Sequence, residues 1–308
     1  MEEYQGRCPT GVAGLDEILH GGLLRRRAYL VRGGPGTGKT TLGLHFLQAG
    51  VAEGEASLLI TLESSEQQLR ADAAAEGIDL SGITFLDLSP GREFFAQNQT
   101  YDLFSPADVE RDPTTRRILE TIERERPARV FVDAITTMAY LAPDAFQFRK
   151  QALSFLRYLV ENGATVLMSS EPTGSVPDDD LRFMSDGIIE VEFSPEHGTL
   201  RRSLNVTKLR GSDFEGGRHV MRLTDRGVVV YPRLMPGAFE RQFDPEIVPS
   251  GIAELDEMLG GGIERGTITM VSGPSGVGKS TLGTQFMNQA AMRGERCVIY
   301  LFEEQQET

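Results

Sequence analysis

Residues 10 to 63 of this 308-residue chain realign without a gap on residues 250 to 303, at a constant offset of 240. About 21 of the 54 paired positions are identical, far above chance for ordinary composition. Thr10-Gly-Val-Ala-Gly-Leu-Asp-Glu returns as Ser250-Gly-Ile-Ala-Glu-Leu-Asp-Glu. One domain and the opening of a second of the same kind must therefore share the chain. Between them, Pro232, Pro236, Pro245 and Pro249 stand among polar residues, a composition suited to an extended linker. The expected division is a first domain over 1–235, a linker over 236–249, and over 250–308 the start of a second domain whose remainder lies beyond Thr308.

Within the first copy, periodicity predicts strands at Ala28–Val31 and Ser57–Leu62, and helices at Lys39–Ala52 and Glu66–Glu76. A helix at Thr114–Glu125, a strand at Val130–Val132, a helix at Phe146–Glu161 and a strand at Thr165–Met168 follow. Strands alternating with helices imply an α/β fold, with a mostly parallel sheet covered on both faces. Short strands at Ile188–Phe193, Leu200–Leu209 and Val228–Tyr231 are expected to extend it in antiparallel fashion.

Between the first strand and its helix lies Gly33, Gly34, Pro35, Gly36, Thr37, Gly38, Lys39, Thr40, Thr41, which fits G-x-x-x-x-G-K-[ST]. The glycines let backbone N–H groups converge on phosphates, Lys39 can reach the β and γ phosphates of ATP, and the Thr40 hydroxyl can hold Mg²⁺. The same pattern recurs at the homologous place as Gly273, Pro274, Ser275, Gly276, Val277, Gly278, Lys279, Ser280, Thr281, which removes accident as an explanation. Lysine is otherwise scarce. Only positions 39, 150, 208 and 279 carry it, in a chain with 31 basic residues.

Asp133 ends the strand Arg129-Val-Phe-Val-Asp, where a carboxylate can hold a magnesium-bound water, or simply start a turn. Glu63 ends Leu59-Ile-Thr-Leu-Glu, on a strand expected beside that of the P-loop. It could take a proton from an attacking water, or serve as an acid at a helix N-terminus. In the second copy Ser280 and Glu303 are the matching candidates for metal.

Charge and composition exclude several classes. Forty-five acids against 31 bases give a net charge of −14, and no basic run exceeds Arg25-Arg26-Arg27, which argues against a general grip on nucleic acid. No apolar run approaches the roughly 20 residues that cross a bilayer, and no leader follows Met1, so a cytoplasmic protein without a membrane partner is expected. Two cysteines and four histidines build neither a disulfide framework nor a zinc module.

Taken together, the Thr10–Glu17 opening, the P-loop, Glu63, Asp133, Ser169-Ser-Glu171, Ser185-Asp-Gly-Ile-Ile and Lys208-Leu-Arg-Gly-Ser212 resemble the KaiC family of RecA-like P-loop ATPases. The resemblance spans essentially the whole chain and includes the duplication. It implies two stacked RecA-like domains, six chains in a double ring, and ATP with Mg²⁺ between neighbouring subunits. Glu63 would act as catalytic base beside the P-loop. Lys208 and Arg210 would reach the neighbour's γ-phosphate, and Leu209, Ser212, Thr224 and Asp225 would line the same nucleotide. Independently, Asn205 to Arg210 alternates as a strand, which puts Lys208 and Arg210 on one face; a solvated basic edge strand is the plainer alternative. Autokinase activity on serine or threonine, and an unidentified regulatory partner, are implied for a protein with the complete second domain.

Two residues depart from the family. Ser64 stands where a second glutamate is common, although the second copy has Glu303-Glu304, and Ala134 replaces the usual serine after the strand-ending aspartate. Either would suit a nonhydrolytic assembly switch. A recombinase-like DNA-dependent ATPase shares the P-loop, but offers basic loops where this chain has Asp178-Asp179-Asp180, expected as a solvated turn. An insertion with Phe94, Phe95, Tyr101 and Phe104 reads as local packing. Phe148, Ala152, Phe155, Leu156, Leu159 and Val160 read as a core-facing helix stripe, and His45 and His197 as non-ligands.

Overall fold

The structure, a computed structural model, describes residues 6–89, 113–172, 178–196, 199–234 and 246–302. The aromatic insertion, His197 and Glu303 lie outside these residues. The chain divides into two compact units, Met1–Arg233 and Leu234–Thr308.

In the first unit a nine-stranded sheet is built from β3 (Ala28–Gly33), β4 (Ser57–Thr61), β5 (Ile83–Asp87), β6 (Arg129–Asp133), β7 (Thr165–Ser170), β8 (Gly187–Glu196), β9 (Thr199–Leu209), β10 (His219–Thr224) and β11 (Gly227–Tyr231). Its order is β11-β10-β9-β8-β3-β7-β6-β4-β5. From β8 to β5 neighbours are parallel, and β9 to β11 add antiparallel strands, as expected. Every residue of β4 and β7 is buried, because helices cover both faces. The helices are α1 (Ala13–Ile18), α2 (Lys39–Ala52), α3 (Glu66–Ala75), α4 (Pro113–Glu125), α5 (Thr137–Leu141), α6 (Ala145–Glu161) and α7 (Asp178–Met184). Two cores result, one against α2 and α1, the other against α6 with Phe148, Phe155, Leu156 and Leu159. A small ribbon, β1 (Arg7–Cys8) with β2 (Leu23–Leu24), precedes the sheet.

Helix α2 lies unusually close to β6, for a reason written in its glycines. A Cβ on Gly43 would stand 2.2 Å from the Phe131 ring, and one on Gly50 2.5 Å from Cδ of Arg129. Seven residues is two helical turns, so both glycines face the same strand. Arg129 is fully buried there. Its guanidinium meets Glu53 and Glu55, each at 2.6 Å, and donates to the carbonyls of Pro9 and Phe46. Arg25 adds a second ion pair to Glu55.

Several expectations need correction. Strand β4 is not beside the P-loop strand: β7 and β6, which come later in the chain, insert between it and β3. The local pattern of a strand carries no information about such crossovers. Asp178-Asp179-Asp180 opens helix α7 instead of forming a turn, a place where acids complement the helix dipole, and Asp180 pairs with Arg149 at 2.8 Å. Strand β9 does not alternate without a break over 205–210. Ile188 pairs with Lys208 and Ile189 with Val206, so Thr207 is an extra residue and the faces change parity across it. Lys208 and Arg210 lie beyond the bulge.

The second unit holds β12 (Ile247–Val248), α8 (Ala253–Met258), β13 (Ile263–Glu264) and α9 (Lys279–Met292). The pair β12–β13 repeats β1–β2 at the offset of 240 and lies partly inside the expected linker. Residues 268–273 and 297–301, whose counterparts are β3 and β4, join no sheet, and Ile268, Met270, Tyr300 and Leu301 are exposed. Among its described residues only Val248, Ser250, Gly262 and Ala290 are buried.

Candidate active site

The P-loop leaves the carboxyl end of β3 in the middle of the sheet, and α2 starts at Lys39. Gly36 and Gly38 take φ of 69° and 103°, left-handed values that side-chain-bearing residues resist. Gly33 has a second constraint, since a Cβ there would stand 2.2 Å from the Val191 carbonyl oxygen. The loop's shape therefore follows from its glycines. Thr37 ties it internally through a 2.8 Å bond from Oγ1 to the Gly34 carbonyl.

Close packing of α2 on β6 brings Thr40 to Asp133. The Thr40 hydroxyl donates to Oδ2 at 2.8 Å, and the Ser169 hydroxyl donates to Oδ1. Burial pushes the Asp133 carboxyl above its ordinary range, the two hydroxyls oppose that shift, Glu63 adds to it and Lys39 opposes it. A peptide bond in the cis form joins Asp133 to Ala134. A hydroxyl and a carboxylate are hard oxygen donors, the kind that magnesium takes together with water and phosphate. The donor set thus fits Mg²⁺, and no cluster of three or more acids, histidines or cysteines occurs among the described residues to suggest another metal.

Glu63 stands two residues past β4, and its Oε1 accepts from the Thr137 hydroxyl at 2.7 Å. Because the Leu62 N–H donates to the Asp133 carbonyl at 2.8 Å, the two carboxylates share one end of the sheet although β4 is distant from β3. Lys39 is buried, and its ammonium donates to the Gly34 carbonyl at 2.9 Å and to Oε1 of Glu171 at 3.0 Å. At the rim, Arg202 donates to the Gly36 carbonyl at 3.2 Å and stacks over Phe193. Glu171, Thr137, Ser169 and Arg202 were not among the expected site residues. Only Ser169 and Glu171 fell in a recognisable segment, and nothing in their spacing announced which side chains they would meet.

Lys208 and Arg210 stand elsewhere. The Arg210 N–H donates to the Asp186 carbonyl and that of Asp186 to the Ala28 carbonyl, which sets Arg210 level with the amino end of β3, while Lys208 pairs with Ile188 at the level of Leu30. Five residues separate Ala28 from Gly33, about 16 Å along a strand. Arg210 thus stands at the end of the sheet opposite its own P-loop, and Lys208 lies two residues nearer to it along the strand. Lys208 donates to the Arg182 carbonyl of α7 at 2.7 Å; burial and the cations Arg210 and Arg182 lower its pKa, against Asp186. Ser212 accepts from Arg7 at 2.7 Å nearby, and Leu209 is buried in the α2-side core. Thr224 and Asp225 sit apart from these, at the tip of the β10–β11 hairpin on the P-loop side. Leu223 approaches Gly38, and the Asp225 carbonyl approaches Gly77. The tip is anchored to α2 where the Val228 N–H donates to Nε2 of His45 at 3.0 Å.

In the second unit Gly276 and Gly278 repeat the left-handed values of the first loop, at 79° and 98°. Lys279 turns back on the carbonyls of Gly273 and Pro274, each at 2.9 Å. Ser275, Val277, Ser280 and Thr281 are present on this loop and helix without a strand-ending aspartate among the described residues.

The family model for the KaiC ATPase matches residues 8–235 and 248–308. The circadian clock oscillator protein KaiC of Parathermosynechococcus lividus is 29% identical over 99% of this chain and 57% of its own length. That of Synechococcus elongatus is 30% identical over 96% of the chain, again with 57% of its own length covered. The circadian clock protein KaiC3 of Synechocystis is 29% identical over 98% of the chain and 60% of its own. The chain thus spans somewhat over half the length of these relatives. With its paired P-loops, its Thr40–Asp133 contact and a family match over nearly its whole length, the chain belongs to the KaiC family of ATPases.

Proposed function

We propose that the first unit binds ATP with Mg²⁺ and hydrolyses it at an interface between neighbouring copies, in a ring whose nucleotide state is read by a regulatory partner. The observation that carries this is the convergence of Lys39, Thr40, Asp133 and Glu63 at one end of the sheet while Lys208 and Arg210 face away at the other. Backbone N–H groups of Gly34 to Thr41 bind the phosphates, and Lys39 neutralises charge on them. Thr40, directly, and Asp133, through water, would hold the Mg²⁺, which supplies further neutralisation of the β and γ phosphates. Glu63, oriented by Thr137, accepts the proton of the attacking water. Lys208 and Arg210 of one copy stabilise the charge that develops on the next copy's γ-phosphate. The second unit's loop, with Ser280 and Lys279, belongs to a site of the same type in a complete second domain, where autokinase chemistry would reside.

Phosphate release from Mg-ATP tests this directly. Glu63→Gln is expected to slow it by about 100-fold or more, the usual contribution of a general base. Lys39→Ala should abolish nucleotide binding. Release unchanged by both substitutions would overturn the proposal.

A further inference from the structure

The contact between Lys39 and Glu171 has no role in the mechanism above. Glu171 is the first residue beyond β7, and its carboxylate is one-third exposed, whereas the Lys39 ammonium it meets at 3.0 Å is 7% exposed. An ammonium has three N–H donors. The Gly34 carbonyl of the P-loop takes one at 2.9 Å, and Glu171 takes another, so a negatively charged oxygen already stands against the lysine that phosphate must reach.

We propose that Glu171 is an internal competitor for the P-loop lysine: its carboxylate occupies the place on Lys39 that a terminal phosphate oxygen takes, so that a nucleoside triphosphate must displace it. The inference rests on the assignment of Lys39 to nucleotide phosphate. Carboxylate and phosphate oxygens accept from an ammonium at the same distances, which makes one a substitute for the other. They are also both anionic, and repel when they crowd one cation. A diphosphate engages Lys39 through its β-phosphate and leaves a donor for Glu171. Adding the γ-phosphate claims that donor and sets a second anion beside the glutamate. The pair therefore lowers affinity for triphosphate more than for diphosphate, and keeps Lys39 aligned when no nucleotide is bound. Glu171 is in this sense a positioning residue that sets the balance between the two nucleotides.

The experiment is calorimetric titration of the full chain with a nonhydrolysable ATP analogue and with ADP, both with Mg²⁺, in wild type, Glu171→Gln and Glu171→Asp. Removing the charge while keeping the shape should tighten triphosphate binding about tenfold, the size of one close charge pair in a partly screened site, and change ADP binding less than about threefold. Glu171→Asp should bind triphosphate more like wild type. Weaker or unchanged triphosphate binding in Glu171→Gln would overturn the inference, since a supporting contact loses affinity when it is cut. Wild-type binding of the analogue together with that result would leave the ATP site itself standing. Absence of binding in every variant would overturn the site assignment and this inference with it.

Discussion

Among the described residues of the first unit, Arg129 is the buried charge with the most partners. It is fully buried, meets two carboxylates and two carbonyls, and lies over the Phe46 ring at 5.2 Å. Burial raises the Glu55 carboxyl, but the bonds and charges of Arg129 and Arg25 outweigh it and hold that carboxyl below its ordinary range. Arg129→Met should cost about 3 kcal/mol, because Glu53 and Glu55 lose one of their two cations and the carbonyls of Pro9 and Phe46 lose a donor. A fall in the urea midpoint at constant slope would show it, and a variant as stable as wild type would refute it. His45 gives a pH dependence of predictable sign. Burial lowers its pKa in the folded chain, while the unfolded chain protonates near 6.5. The unfolded state therefore takes up the proton first, so this contribution is complete above about pH 6.5 and is lost as pH falls below it. His45→Gln should flatten the decline in urea midpoint between pH 7 and pH 5, and an equal decline in both proteins would count against it. Neither role was legible in the sequence. The acids that meet Arg129 are 74 and 76 positions away, and the backbone group that meets His45 is 183 away.

Helix α2 and its repeat α9 show what local pattern reveals and what it omits. Both bounds of α2 were readable, since a P-loop fixes its start and Gly54 its end. Strands β5 and β10 were missed: Ile83–Asp87 and His219–Thr224 are short, and half-buried patterns of that length look like loop. The repeat keeps glycine at positions 43 and 283, yet only the first faces anything. Gly43 makes room for Phe131, while a Cβ on Gly283 meets no atom within 4 Å. Gly43→Ala should therefore destabilise the first unit by about 1–3 kcal/mol through overpacking, despite alanine's better helix propensity. Gly283→Ala should leave its melting temperature unchanged, and equal effects of the two substitutions would show that the close approach is not what the first glycine serves. Hydrogen exchange should divide the same way. Amides of β3 and β4 lie in ladders, whereas those of 268–273 and 297–301 join none and should exchange at least about a hundredfold faster.

Across the whole first unit, the class of fold and the P-loop constellation were legible because they are short-range and periodic. Strand order was not, and with it the route by which Glu63 comes to Asp133. No helix among the described residues is long and apolar enough to cross a membrane. The proposed interfacial site makes a prediction that no single copy can satisfy. Lys39→Ala chains keep their Lys208–Arg210 pair, and Arg210→Ala chains keep their P-loop, so mixing two inactive proteins should restore activity to roughly a quarter of wild type when neighbours assort at random. Phosphate release that stays at the sum of the separate variants would refute transfer across the interface.

Strand β9 spans this arrangement from one end to the other. Arg202 on it touches the P-loop of its own copy, and Lys208, six residues on, turns to the opposite end. In the proposed ring, such a strand would be a ruler laid between consecutive nucleotides, with the residue rise as its graduation. Adding two residues between Arg202 and Lys208 would keep every side chain on its face but lengthen the ruler by about 7 Å. Each nucleotide would then still find its own loop and miss its neighbour's cations by more than the length of a hydrogen bond.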